Sequence, residues 1–273
     1  VRLVLLPIDM KQRINSKKMV SINPEIEGLK KRYGNNPEQL NLRINKLYKE
    51  RGISPMAGCL PMLLQLVFLL AFYGALRSIA AKETMSLVLR AAENGASSIE
   101  LTRWLWVNNL WQPDSGMAGI LPSASEFLTF LQSNNNIITP QTMGILQSKG
   151  LILFNEGILS VNEAAYNALS SGIIAANGLM GLNNGWFILP LLSGGAMFLQ
   201  QWISSKLNPN PAMEQQMGMM KYIYPILSFV ICLSSNTMFA IYWMFTSIYS
   251  VAVDFFFNFY YKRKEEKGSR KKA

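Results

Sequence analysis

The chain contains no histidine and only two cysteines in 273 residues. A His-based catalytic triad is thereby excluded, and a zinc site has no imidazole to draw on. Cys59 and Cys232 lie in or beside apolar segments without metal-ligand spacing. Neither a metal site nor a disulfide framework is supported, and both thiols read as small packing residues. Charge is scarce too: 15% of residues carry one, against about 25% in soluble domains. The chain has no internal repeat, and its long apolar stretches hold a single acid, Asp254. Ion-coupled transport needs inverted repeats or a set of intramembrane carboxylates. A membrane hydrolase needs paired carboxylates or a nucleophile with its base. Neither pattern is visible.

What is there is apolar sequence, half of the chain, in clusters rather than at a surface-helix period. That distribution predicts spanning helices. Candidates are residues 55–76, 186–203, 222–235 and 237–261; the third is short unless 217–220 extend it with Lys221 snorkelling. Pro61, Pro190 and Pro225 fall inside candidates, which membrane helices tolerate when neighbours satisfy the freed carbonyls. The apolar run Leu3-Val4-Leu5-Leu6-Pro7-Ile8 precedes a basic stretch. Eight helical residues cover roughly 12 Å, short of a hydrocarbon core of about 30 Å. The chain is therefore expected to begin inside a first spanning helix, which makes five.

Charge sets the orientation. Residues 9–51 hold eleven Lys/Arg against five Asp/Glu, the tail from 262 holds seven against two, and residues 78–184 hold four against seven. By the positive-inside rule the first stretch and the tail are cytoplasmic and the long connection is external. Five spans alternate consistently with that assignment. The expected organisation is: the end of the first span at 1–8, a basic hairpin at 9–54, a span at 55–77, an external loop at 78–184, a span at 185–204, a cytoplasmic loop at 205–221, two spans at 222–261 and a basic tail at 262–273.

The first cytoplasmic stretch reads as a helical hairpin. Asn23-Pro24-Glu25 is a helix start with a capping Asn, Gly34 ends that helix, and Asn36-Pro37-Glu38 starts another. Ile22, Ile26, Leu29 and Tyr33 form one stripe and Leu40, Ile44 and Leu47 the other. Packed antiparallel, they leave Lys17, Lys18, Lys30, Lys31, Arg32, Arg43, Lys46, Lys49 and Arg51 outside. Those cations suit anionic lipid headgroups first and ribosomal RNA second; a solvated pair that merely connects spans is the plain alternative. In the external connection, Trp104, Trp106 and Trp111 suit an interfacial aromatic belt. Short amphipathic helices are expected at 124–131 and 158–169.

Arg2 stands at the edge of the truncated first span. An ionisable residue there usually faces a bundle interior or a wet cavity, but it can also snorkel to headgroups. Charge alone leaves the two readings even.

Motifs separate them. Gly52 to Leu66 reads GISPMAGCLPMLLQL, follows a basic hairpin and leads into a span. It resembles the "NPLGGCLPLLIQ" run of the YidC/Oxa/Alb family of membrane protein insertases, bacterial type. Four further segments match in the family's order: VRLVLLPIDMKQ, RWLWVNNLWQPD, WFILPLLSGGAMFLQ and MFAIYWMFTSIYS. The resemblance covers roughly residues 1–114 and 185–261. Residues 115–184 look like an insertion, and the family's "PSG" turn between its last two helices is Ser235-Asn236-Thr237 here.

The resemblance implies an all-α polytopic membrane protein with a five-helix YidC-like core, its first helix truncated. It implies a hydrophilic intramembrane groove open to cytoplasm and lipid, with Arg2 as the groove arginine and Gln200 and Trp243 at matching positions. Gln65 and Tyr242 are inferred neighbours. On their own, Gln65 reads as a helix–helix hydrogen-bonding residue, Gln200 as interfacial, and Tyr242 and Trp243 as packing. The implied activity is insertion of client membrane proteins, with no bond chemistry and no cofactor. Expected partners are nascent membrane-protein clients, anionic lipids, the Sec translocon and the ribosome, with function as a monomer. The expected location is the bacterial plasma membrane. A small channel or transporter, or a groove-type lipid scramblase, is the alternative.

Overall fold

The computed structural model describes residues 2–53, 60–134, 138–207 and 219–270. Residues 54–59 of the Gly52–Leu66 motif, Cys59 included, lie outside the described residues, as do residues 217 and 218 and the last three residues of the basic tail. The chain is mostly helical. The helices are α1 (Arg2–Ser21), α2 (Asn23–Tyr33), α3 (Pro37–Glu50), α4 (Leu60–Asn94), α5 (Ala124–Ser133), α6 (Pro140–Ser148) and α7 (Glu163–Ala176), then α8 (Ile188–Leu207), α9 (Met220–Ser234) and α10 (Thr237–Arg270). A two-stranded antiparallel sheet, β1 (Ile152–Asn155) and β2 (Ile158–Val161), pairs Ile152 with Val161. Two compact units result: residues Val1–Phe72, Gly195–Ile226 and Phe245–Ala273 form the first, and Tyr73–Gly194 with Leu227–Met244 the second. Helices α4, α8, α9 and α10 each supply both.

Among the described residues, Thr237–Tyr261 within α10 is long and apolar enough to cross a membrane, and Lys221–Ser234 is a shorter apolar helix. Helix α8 carries Ser193, Gly194, Gly195, Gln200 and Gln201, which lower its hydropathy.

In the first unit the hairpin closes on its predicted stripes. Met19, Ile22, Ile26, Tyr48 and Ile53 are buried, with Ile44 and Leu47 packed against them; Leu29, Tyr33 and Leu40 are half-buried. Asn36 caps α3, its side chain accepting from the Gln39 N–H at 3.1 Å. The other cap differs from expectation. Asn23 is already helical, and the Ile22 carbonyl accepts from Glu25 and Ile26 N–H, both at 3.1 Å. Helix α1 runs on to Ser21, so the chain between the two helices is too short for Asn23 to turn outward as a cap. Burial in this small core pushes the Tyr48 hydroxyl pKa up.

The second unit holds a packed core where a loop was expected. Helix α4 does not stop near residue 77; it continues to Asn94 and ends at Gly95, whose φ of +88° suits glycine. Its far end presents Met85, Val88 and Ala91, spaced for one helical face, to Phe127 and Leu131 of α5, Leu146 of α6, and Tyr166 and Ile173 of α7. The expected helix at 124–131 is α5, opened by a capping box of Ser123 and Glu126. The stretch 158–169 is helical only from Glu163. Its first residues form β2, because Glu156 and Gly157, at φ of +52° and +80°, make a tight hairpin turn.

Candidate functional site

The residues assigned to a groove fall in both units. Arg2 is on α1, Gln65 on α4 and Gln200 on α8, all in the first unit. The side chains of Arg2 and Gln65 lie outside the described part of the structure, and Gln200 is half-buried. Tyr242 and Trp243 are on α10 in the second unit, also half-buried. Their rings pack on Phe239, at 6.5 and 5.5 Å between centroids, and Phe239 meets Tyr73 edge-on at 5.1 Å. Ser193 of α8 donates to the Ala240 carbonyl beside them. Tyr242 and Trp243 thus stand on a fixed aromatic platform.

The first unit contains a clamp that sequence reading placed only in part. Asp254 of α10, the single acid of the long apolar stretches, is buried and paired. The partner is Arg13 of α1, which forms an ion pair and a hydrogen bond with it. Arg13 also lies 5.8 Å from the Phe257 ring. One turn along α1, Lys17 sits over Phe257 at 5.8 Å and Tyr261 at 4.5 Å. Cations at i and i+4 of one helix therefore meet an acid and two rings at i, i+3 and i+7 of another. Lys17 covers this aromatic face rather than standing free for a lipid or ribosome. Of the other hairpin cations, Lys18, Lys31, Arg32, Arg43 and Lys46 are exposed and Lys30 half-buried. Arg43 lies 5.5 Å from the Tyr33 ring, and Arg51 bonds Glu25 at 2.6 Å.

The second unit contains a polar knot that the sequence reading passed over. Asp114 is fully buried and accepts three N–H donors: the Trp106 indole at 3.1 Å, and the backbone of Trp186 at 2.8 Å and Leu189 at 2.7 Å. The last is in the first turn of α8, where a carboxylate also answers the helix dipole. Asn184 donates to the Asn109 and Pro113 carbonyls, both at 2.9 Å, and Asn109 donates to the Ile120 carbonyl at 2.7 Å. The start of α10 joins the same cluster. The Thr237 hydroxyl and N–H both donate to Gln112 O, at 2.8 and 3.0 Å, and the Met238 N–H to Leu110 O at 3.3 Å. The Ser235-Asn236-Thr237 turn closes normally, with Asn236 capping α10 through the Phe239 N–H at 3.0 Å. The signal available in the sequence was a lone acid in an aromatic, otherwise uncharged segment, a poor place for an unpaired charge.

Among the described residues no three His, Cys, Asp or Glu side chains gather where a metal ion could be held.

Comparison with known proteins adds ancestry to this geometry. Residues 1–265 match the family described as 60Kd inner membrane protein. A membrane protein insertase YidC of Clostridium perfringens (strain 13 / Type A) is 38% identical over 133 residues, covering 49% of this chain and 48% of that protein. One of Caldanaerobacter subterraneus subsp. tengcongensis is 35% identical over 133 residues, 49% of this chain and 55% of that protein. One of Chloroherpeton thalassium is 24% identical over 260 residues, 94% of this chain and 31% of that protein. The chain spans about half the length of the first two and less of the third.

Proposed function

Because the chain belongs to the 60Kd inner membrane protein family, that of the YidC/Oxa/Alb proteins, we propose that it inserts client proteins into the bacterial plasma membrane. The family match over residues 1–265 is the observation that carries this reading. Five spans, with the α2–α3 hairpin and the tail cytoplasmic, form the bundle. A polar groove within it is lined by Arg2, Gln200 and Trp243, with Gln65 and Tyr242 beside them.

The chemistry is physical rather than covalent. Carrying a short polar segment of a nascent membrane protein into hydrocarbon costs several kcal/mol per unsatisfied group, roughly 2–7. A wet groove reaching part-way across lowers that cost. Arg2, fixed in a low dielectric, attracts carboxylates of the incoming segment more strongly than it could in water. The client's apolar helix then leaves sideways, driven by transfer into lipid at about 25 cal/mol per Å². No bond is made or broken, and no cofactor is called for. The Arg13–Asp254 clamp supports this reading: Arg2 lies eleven residues earlier on the same α1, about 16 Å along its axis, so the clamp gives its helix a fixed base.

The experiment is insertion of a small client with an acidic external tail into liposomes, with and without the purified protein. Protease protection of the client in the protein-containing liposomes alone is expected. Equal protection in both, or lipid flux without client insertion, overturns the reading.

A further inference from the structure

The Asp114 knot carries an apolar surface that the insertion reading does not use. Trp104 and Val107 pair across a two-residue turn, with N–H to carbonyl bonds of 2.8 and 3.0 Å, leaving Leu105 and Trp106 at its tip. Such tips normally carry Asn, Asp or Gly. Here Leu105 takes a left-handed φ of +49° and is 75% exposed, while the Trp106 ring is held back by Asp114. Beside it, Met117 is 89%, Leu182 50% and Trp186 68% exposed.

These residues come from three separated segments, and hydrogen bonds tie them together. Asn108 donates to the Asn183 carbonyl at 2.8 Å and its N–H to Asn184 O at 3.3 Å; the Asn184 N–H reaches Ala118 O at 3.1 Å; Asn183 donates to Gly116 O at 2.5 Å. Gly116 leaves no room for a side chain against the Phe187 ring, where a Cβ would stand 2.9 Å from a ring carbon. The collar carries no acid except buried Asp114 and no cation beyond Arg103 at its edge. An uncharged, protruding apolar rim does not suit water, nor does a leucine held at positive φ merely to be displayed there.

Its position identifies the occupant. Residues 110–112 are bonded to Thr237 and Met238, the first residues of the segment long enough to span, and Trp186 precedes α8 by two residues. The rim is therefore continuous with the outer end of a spanning helix. We propose that Leu105, Met117, Leu182 and Trp186 form a collar that seats this unit on the lipid bilayer, the aliphatic tips entering the acyl boundary on the external side. The three tryptophans expected to form a belt are half-buried in the same unit, Trp106 held by Asp114, and the rim projects beyond them. The proposal rests on α10 spanning the membrane, not on client insertion.

The test is spin-label accessibility in proteoliposomes without any client. Leu105→Cys, Met117→Cys and, as a control at the β1–β2 turn, Glu156→Cys are each made in a Cys59→Ala background; Cys232 is fully buried and stays. Labels at 105 and 117 are expected to collide with oxygen severalfold more than with a water-soluble nickel chelate, relative to the label at 156. A label ratio at 105 and 117 equal to that at 156 overturns the collar. So does low access to both reagents, which marks coverage by protein, a second copy included. Met117 projects outward, so its variant gives the answer even where Leu105→Cys perturbs the turn. The readout is independent of insertion activity, so lipid contact without client insertion would indict the functional reading alone.

Discussion

Arg13 and Asp254 stand 241 residues apart in the chain and form one ion pair, joining the basic extension of α1 to α10. The carboxylate is the more deeply buried partner, with 6% of its side chain exposed against 18% for the guanidinium. Such a pair matters less for the energy it adds than for the charge it would strand if broken.

Arg13→Ala should therefore be costly, by about 3 kcal/mol, because it leaves Asp254 buried and alone. The double variant Arg13→Ala, Asp254→Ala should recover much of that loss. Detergent melting of the four members of the cycle measures it; additive losses would show that the two side chains do not act as a pair.

Asp114 offers a second, independent site of stability. Asp114→Ala strands the Trp186 and Leu189 N–H groups and should cost about 2–3 kcal/mol, in the range for bonds to a charged acceptor. Gly185→Ala should be at least as damaging, since its Cβ would lie 1.9 Å from an Asp114 carboxylate oxygen. Limited proteolysis near residue 185 reads both, with cleavage expected in the variants and not in the parent.

Tyr166 gives a pH signature. Its ring stacks on Phe127 at 4.8 Å and its hydroxyl donates to the Pro122 carbonyl at 2.9 Å. Burial first, and the Glu126 charge second, hold its pKa above the usual tyrosine value of 10. A raised folded-state pKa means that its contribution is fully present below pH 10 and is lost as pH rises beyond it. The melting temperature should fall more steeply above pH 10 in the parent than in Tyr166→Phe. That variant should be about 1 kcal/mol less stable at neutral pH. Parallel pH curves would remove Tyr166 from the account.

For function, Arg2→Ala should abolish insertion of clients with acidic external tails, and Arg2→Lys should keep much of it, since a point cation still attracts a carboxylate. Liposome insertion assays in a full-length background measure both. Wild-type rates for the alanine variant would end the attraction mechanism for this protein.

Deleting residues 23–48 should leave a folded membrane bundle and weaken client capture. The hairpin buries its stripes largely within itself and its two flanks, Met19 and Ile53. Undiminished insertion by the deletion variant would deny the hairpin a working part.

The features read correctly from sequence are the local ones. Proline, glycine and asparagine mark the α2–α3 hairpin because their effects act within a few residues, and its stripes follow from helical spacing. The end of α4 was hidden because an amphipathic face at Met85, Val88 and Ala91 follows directly on an apolar run, and the fall in hydropathy looks like a loop. Glu156-Gly157 was hidden because a strand of four residues is too short to display its alternation. Asp114 was hidden for a different reason: its backbone partner Trp186 is 72 residues away, and no local pattern encodes a bond of that span. The groove's expected members came from motif likeness, not from periodicity or spacing.

Neither compact unit is a continuous stretch of chain, and that governs when each can be finished during synthesis. The core built from Met85 to Leu179 lies within one run of sequence and can close while later helices are still being made. The clamp cannot. At about 5–20 residues per second, the ribosome needs roughly 12–48 s after Arg13 to supply Asp254. Through that interval the cations of α1 must be held by water or headgroups. The partner that replaces them arrives last, on the helix that completes both units.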